Sequence, residues 1–151
     1  MEEARFSLLK SELMAQWREI TKIYDRIEER RRKRGVHGLE SLAYQLHNLY
    51  CAYEDLFKIV AGFFENSIED RSRYHPELLG RMKLEIEGVR PALISEKSFQ
   101  LLNSLRAFRH FFRHAYGYEL DRRKVSIVLQ DALALREVFK SDLEAFLGKL
   151  S

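Results

Sequence analysis

The 151-residue sequence has little of what breaks a helix or cross-links a chain: 7 glycines, 2 prolines and one cysteine. With 46% hydrophobic and 32% charged residues, this scarcity excludes a disordered tail, a collagen-like repeat and a loop-rich all-β module. The single cysteine, Cys51, excludes an internal disulfide framework and a cysteine-based zinc site. Its apolar neighbours favour a buried thiol over a functional one.

Long apolar runs are also missing. The longest, residues 59–64, is far shorter than a bilayer span requires. The first residues, MEEARFSLLKSEL, are acidic where a signal peptide needs positive charge. We therefore expect a cytoplasmic protein without a membrane partner. Its length is that of one domain, which we expect to span residues 1–151.

Several catalytic motifs are absent from the sequence. There is no glycine-rich phosphate loop, no H-E-x-x-H, no Glu-x-x-His pair and no G-x-S-x-G elbow. No motif thus indicates a metal or a cofactor, and we expect none. The formal net charge of +3 argues only weakly for a polyanionic partner, so the local distribution of charge has to decide.

Apolar residues recur every three or four positions, which predicts amphipathic helices. The first stripe comprises Phe6, Leu9, Leu13, Trp17, Ile20, Tyr24 and Ile27. The second comprises Leu39, Leu42, Leu46, Leu49, Tyr53, Leu56, Val60 and Phe63. The stripe nearest the C-terminus comprises Val125, Val128, Ala132, Leu135, Phe139, Leu143, Phe146 and Leu150.

Capping and breaking residues predict where the helices stop and start. The first helix should end near Gly35. Within residues 74–94, a shorter helix should follow Pro76 and be stopped by Gly88 and Pro91. A further helix should begin after Ser95 and close at Gly117, and the last should begin near Asp121. Four long helices and a short one, joined by short loops, predict an all-α, single-domain bundle.

The densest polar signal is the segment RAFRHFFRHAY, residues 106–116. At about 100° per residue, a helix separates this region into two faces. The expected core face carries Leu101, Leu105, Phe108, Phe111, Phe112 and Ala115. The opposite arc carries Arg106, Arg109, His110, Arg113, His114 and Tyr116.

One explanation of this arc is an ordinary solvated helix face. Such a face mixes charges of both signs, however, and no acidic residue occurs between Ser98 and Tyr118. A polyanion or an acidic partner would complete the surface. Arginine holds phosphate bidentately, and histidine moves a proton near neutral pH. Together they suit metal-free RNA cleavage, in which histidine deprotonates the ribose 2′-OH or protonates the leaving oxygen, and arginine stabilises the developing charge.

Arg109, His114 and Tyr116 form the pattern R-x4-H-x-Y late in the penultimate long helix. This pattern resembles the HEPN superfamily of ribonucleases, and specifically the HepT toxins of HepT/MntA toxin–antitoxin systems. The family favours Asn or Asp directly after the arginine, where this chain has His110. The stretches RYHPELLGRM, GVRPALIS and FRHFFRHAYGYELD are also similar to the HepT-like subgroup, so the likeness extends over residues 39–147.

The resemblance implies that Arg109 and His114 are the catalytic pair. It also implies that Tyr116 receives AMP from a nucleotidyltransferase antitoxin of the MntA type. Arg106, His110 and Arg113, on the same arc, are candidate ligands of RNA phosphates.

Arg109 and His114 are five residues apart, or about 140° around a straight helix, so they do not converge readily on one phosphate. A two-fold dimer that brings two motif helices together solves this problem, and the resemblance likewise implies a homodimer.

Other residues allow more than one interpretation. The run Arg30–Arg34 either stabilises a helix C-terminus or contacts RNA or a partner. Glu54 either pairs with a motif residue or lies at the surface. Tyr118 is expected to pack, and no chemistry is assigned to the separate histidines, which are His37, His47 and His75.

The leading hypothesis is a metal-independent endoribonuclease toxin of a type II/VII-like toxin–antitoxin system. The alternatives are a non-catalytic helical module that binds RNA or protein through the same basic face, and a purely structural bundle.

Overall fold

The computed structural model describes residues 1–65, 74–114, 117 and 119–151, with only the backbone of residues 74–76. These residues form five helices, and in chain order they are α1 (Glu3–Arg30), α2 (Gly35–Phe64), α3 (Tyr74–Met82), α4 (Glu96–His114) and α5 (Arg122–Leu150). The predicted all-α architecture of four long helices and one short helix is confirmed. In the part of the chain described, none of the helices has the length and apolar character needed to cross a membrane.

The predicted stripes of α1, α2 and α5 supply most of one continuous hydrophobic core. At its centre the Tyr24 hydroxyl donates to the carbonyl oxygen of Ala132, at 2.8 Å, and lies 2.8 Å from the Tyr53 hydroxyl. Trp17 packs against Phe139 with ring centroids 5.4 Å apart. Burial raises the pKa of both tyrosines, so their hydroxyls stay protonated and satisfy one another inside the bundle.

The turn between α1 and α2 begins earlier than the sequence predicts. Helix α1 stops at Arg30, and Gly35 is the first residue of α2 rather than the terminator of α1. Gly35 has a φ of 80°, in the left-handed region that favours glycine. A Cβ atom at Gly38 would lie only 2.6 Å from the carbonyl oxygen of Lys33, so this glycine lets the turn fold back closely on α2.

The short helix, α3, ends at Met82, six residues before Gly88, where the sequence predicts that it stops. The backbone N–H groups of Leu93 and Ile94 both donate to the Met82 carbonyl, at 2.9 and 3.2 Å. The fully buried Arg90 guanidinium donates to the carbonyls of Arg81, Leu84 and Pro91. Residues 83–94 therefore do not continue the helix. These bonds hold them as a folded connection with Arg90 at its centre.

Arg90 also donates to the Glu65 carboxylate at 3.0 Å, and Arg81 donates to the same carboxylate at 2.5 Å. Glu65 follows the C-terminus of α2, so this buried ion pair fastens the connection before α4 to the end of α2. The stretch GVRPALIS therefore contains an arginine with a structural role.

Candidate functional site

Helix α4 is anchored to α5 along its length, which fixes the position of the charged segment. The Ser95 hydroxyl accepts the Ser98 N–H at 3.2 Å, which confirms Ser95 as the N-cap. Both serine hydroxyls donate to the Asp142 carboxylate, at 2.9 and 2.5 Å. Two turns on, Ser104 donates to Asp131 at 2.6 Å. The α4 C-terminus thus carries its charged side chains on a firmly supported helix.

The side chains of the polar arc are not all equally exposed to solvent. Arg106 and Arg109 are half-buried, whereas His110, Arg113 and His114 are exposed. The imidazole rings of His110 and His114 are neighbours, with centroids 4.7 Å apart. Tyr116, the third residue of the motif, lies outside the described residues, as do Ala115 and Tyr118.

Two predicted core positions on α4 differ from expectation. Phe112 is only half-buried, although it packs against the core, and Phe111 is 41% exposed. Phe111 lies at the edge of the apolar stripe, where it borders the groove between α4 and α5 instead of the core. Leu102, by contrast, is fully buried, although it lies outside the predicted stripe.

The three guanidinium groups of α4 have no carboxylate partner among the described residues, which distinguishes them from Arg81 and Arg90. Arg106 donates through Nε to the Asn103 side chain at 3.0 Å. Arg109 donates through Nε to the Cys51 sulfur at 3.2 Å. Their terminal N–H groups remain the donors that suit a phosphate. The α4 C-terminus favours cations in any case, so its dipole accounts for part of this arrangement.

Helix α2 contributes two residues to this site that the sequence does not assign to it. Cys51 is half-buried rather than buried, and accepts the hydrogen bond from Arg109. His47, one turn earlier, places Nε2 4.0 Å from the Cys51 sulfur and its ring 5.3 Å from Phe112. Their i,i+4 spacing on α2 is a readable signal, but the sequence does not show that this face meets the motif.

The protonation state of His47 follows from this position. Burial, and then the positive charges of Arg109 and Arg113, lower the pKa of His47 from its usual 6.5. His47 is therefore neutral at pH 7. Since its Nδ1 is buried, it is suited to packing beside the motif more than to proton transfer.

Beneath the arginines lie two further buried groups. The Tyr50 hydroxyl is buried with no hydrogen-bond partner in the described part of the chain, and burial followed by the charge of Glu54 raises its pKa. Glu54 is 3% exposed, with its carboxylate 3.8 Å from Lys58 Nζ. The interpretation of Glu54 as a surface residue is therefore wrong.

An apolar groove of about 320 Å³ borders the motif on its other side, between α4 and α5. Phe111 and Ile127 line it and are 41% and 62% exposed. Lys124 Nζ lies 6.0 Å above the Phe111 ring, at the polar rim of the groove. The side chains that line it are Ser104, Ala107, Phe108, Phe111, Leu120, Asp121, Lys124, Val125, Ile127 and Val128.

Among the residues described, no three histidine, cysteine or acidic side chains come together as a metal site would require. The site therefore offers cationic donors, two neighbouring imidazoles and an apolar flank, on a bundle of the HEPN type.

Comparison with known proteins agrees with this class. The model of the HepT-like protein family matches residues 41–150, nearly three quarters of the chain and all of α3, α4 and α5. The chain therefore belongs to the HepT-like family of the HEPN superfamily, a family associated with toxins of toxin–antitoxin systems. Comparisons with curated proteins and with solved structures return no match.

Proposed function

We propose that this HepT-like protein is a metal-independent endoribonuclease toxin, with Arg109 and His114 as its catalytic residues. The observation that carries the proposal is the cluster of cations on α4 without carboxylate partners among the described residues, beside two imidazoles, at the position of the R-x4-H motif. A cluster of this kind is complementary to the charge of a phosphodiester.

The chemistry follows from the donors and bases present. The exposed His114 imidazole takes the proton of a ribose 2′-OH, and the oxygen attacks the adjacent phosphorus. The bond from phosphorus to the 5′-oxygen breaks, a protonated imidazole returns a proton to that oxygen, and a 2′,3′-cyclic phosphate remains. Arg109 stabilises the negative charge that grows on the phosphorus oxygens, while Arg106, His110 and Arg113 hold neighbouring phosphates.

The proposed active form is a homodimer. Arg109 turns towards Cys51 of α2, whereas His114 is exposed about 140° further around the helix. A second copy that brings its own motif helix to this face would supply the missing half of each site. The groove with the exposed Phe111 and Ile127 offers apolar area for such a contact, away from the mutually repelling arginines.

The dimer is tested by size-exclusion chromatography with light scattering. We expect two chains per particle at micromolar concentration, and we expect Ile127→Glu to give monomers without loss of helical content. A strict monomer in the unmodified protein would overturn the dimer.

Regulation is proposed to act through Tyr116 and a cognate nucleotidyltransferase antitoxin. Tyr116 follows the last residue of α4, His114, by two positions in the sequence, and Arg113 by three. AMP on its hydroxyl would add an anion that pairs with Arg109 or Arg113 and a nucleoside that takes the space of the RNA.

Cleavage of a labelled RNA in EDTA tests the enzymatic proposal. Arg109→Ala and His114→Ala should each abolish cleavage while circular dichroism and dimerisation stay unchanged. Arg18→Ala, which removes an exposed arginine of α1, is the control and should cut normally. If the unmodified protein and His114→Ala bind RNA equally and neither cuts it, the protein is a non-catalytic binding module.

A further inference from the structure

The turn between α1 and α2 carries cations that the proposed function does not use. Arg30 and Arg31 are paired with carboxylates of their own helix, at 2.7 and 3.5 Å. Arg32, Lys33 and Arg34 are exposed and form no ion pair with any described residue. Three adjacent unpaired cations repel one another, so a polyanion would stabilise this turn. The family match begins at residue 41 and does not include it.

The relative position of α2 and α4 connects this turn to the motif. Arg109 meets Cys51 and Phe112 meets His47, so the two helices are antiparallel. By that pairing the end of α4 at His114 lies opposite residues 45–46 of α2. Helix α2 therefore continues for about eleven residues, or about 16 Å, beyond the end of α4 before it reaches Gly35. The basic turn and the motif lie at the same end of the bundle.

An aromatic side chain lies between the turn and the motif. Tyr44 is 53% exposed, and its ring is nearly parallel to that of His47, at 18° and 6.5 Å between centroids. His47 in turn contacts Phe112 of the motif helix. The face of α2 from Gly35 to His47 thus leads from unpaired cations, past an exposed aromatic ring, to the charged end of α4.

We propose that this face of α2, with Arg32, Lys33 and Arg34 at its far end and Tyr44 at its near end, is a binding track for single-stranded RNA leading to the motif. The proposal rests on the proposed function, since it names where the substrate of that site lies. Cations along a path with an exposed aromatic ring are the combination that binds single strands, because phosphates pair with the charges and bases stack on the ring.

Glu40 allows a test of whether negative charge on this face weakens RNA binding. It is exposed one turn before Tyr44, on the same face of α2. A carboxylate on an RNA track opposes binding, so its neutralisation should have the opposite effect to neutralising the turn.

The experiment measures fluorescence anisotropy of a 5′-fluorescein-labelled 18-nucleotide RNA of mixed sequence, over a series of salt concentrations. All variants are made in the His114→Ala background, so that binding is measured without cleavage. The test variant changes Arg32, Lys33 and Arg34 together to Gln. The control changes three exposed lysines towards the opposite end of the bundle to Gln, at equal change of net charge: Lys97, Lys140 and Lys149.

We expect the turn variant to bind more weakly and to lower the slope of log affinity against log salt by about 0.7 for each phosphate that is no longer neutralised, or by about 2 for three phosphates. The lysine control should keep its slope within a few tenths. Tyr44→Ala should weaken binding about tenfold, Tyr44→Phe should restore it, and Glu40→Gln should tighten it.

An unchanged affinity and slope in the turn variant, or no RNA binding at low salt, overturns the track. The track is also overturned if the turn variant binds RNA normally but no longer binds a co-expressed nucleotidyltransferase. That result would show that the turn binds the nucleotidyltransferase. The proposed function fails separately, since cleavage by the unmodified protein is scored independently of these affinities.

Discussion

Replacing Glu65 with glutamine should destabilise the fold, because it removes the negative charge that neutralises a fully buried arginine. The Arg90 side chain is 0% exposed and the Glu65 side chain 5% exposed, with 3.0 Å between Arg90 Nε and the Glu65 carboxylate. Breaking a buried ion pair from one side costs about 3–5 kcal/mol. Glutamine keeps one acceptor, and three carbonyls still hold Arg90, so we expect the lower end of that range.

A loss of about 3 kcal/mol corresponds to a melting temperature lower by about 6–12 °C in a chain of this length. Urea denaturation followed by circular dichroism measures the free energy of unfolding directly. The control is Glu19→Gln, since Glu19 lies 3.5 Å from Lys22 in an exposed pair and should change stability by less than about 1 kcal/mol.

If Glu65→Gln lowers the free energy of unfolding no more than Glu19→Gln does, the buried ion pair between Arg90 and Glu65 does not stabilise the fold as its burial indicates. The comparison also separates two kinds of arginine: Arg109→Ala, which breaks no carboxylate pair among the described residues, should affect RNA chemistry far more than stability.

Three further predictions concern the site. Burial, and then the charges of Arg109 and Arg113, lower the pKa of His47, so its contribution to stability is present above pH 6.5 and is lost as pH falls towards the folded-state pKa. Urea denaturation of the unmodified protein should therefore show a steeper fall in the free energy of unfolding between pH 7 and pH 5 than urea denaturation of His47→Gln. Equal pH dependence of the two free energies would contradict this. Cys51→Ala should lower the cleavage rate several-fold because Arg109 Nε loses its acceptor, and Cys51→Ser should recover most of that rate. Equal rates for the alanine and serine variants would show that this hydrogen bond does not contribute to cleavage. Co-expression with a cognate nucleotidyltransferase, followed by peptide mass spectrometry, should find AMP on Tyr116 and not on Tyr116→Phe, whereas a silenced Tyr116→Phe protein would refute this route of regulation.

The helices of this protein are readable from its sequence because their stripes are long and regular. The period of three to four residues in α1, α2 and α5 sorts buried from exposed positions without any knowledge of the partners. Ser95 and Asp121 are equally readable as caps, since each side chain satisfies a backbone N–H two or three residues ahead.

The residues that sequence reasoning missed depend on tertiary contacts. Helix α3 ends early because Arg90, eight residues further on, binds carbonyls that no local pattern connects to it. Phe111 is exposed because its position on α4 faces a groove, and a helical wheel does not show how far the neighbouring helix extends. His47 and Cys51 join the motif only through the antiparallel packing of α2 on α4.

The candidate site is readable from the sequence only in part, for the same reason. The charged segment of α4 stands out in the sequence because it is long, cationic and free of acidic residues. Its contacts with α2, the half-buried state of Arg109 and the nearby basic turn follow only from the packed bundle.

The most direct test of the central claim is the chemistry of the RNA ends that the protein produces. The purified protein is incubated with RNA in EDTA, and the products are analysed by mass spectrometry beside those of His114→Ala. The account predicts a 2′,3′-cyclic phosphate, or its hydrolysis product, from the unmodified protein and no product from the variant. A product with a 5′-phosphate, or full cleavage by His114→Ala, would contradict it.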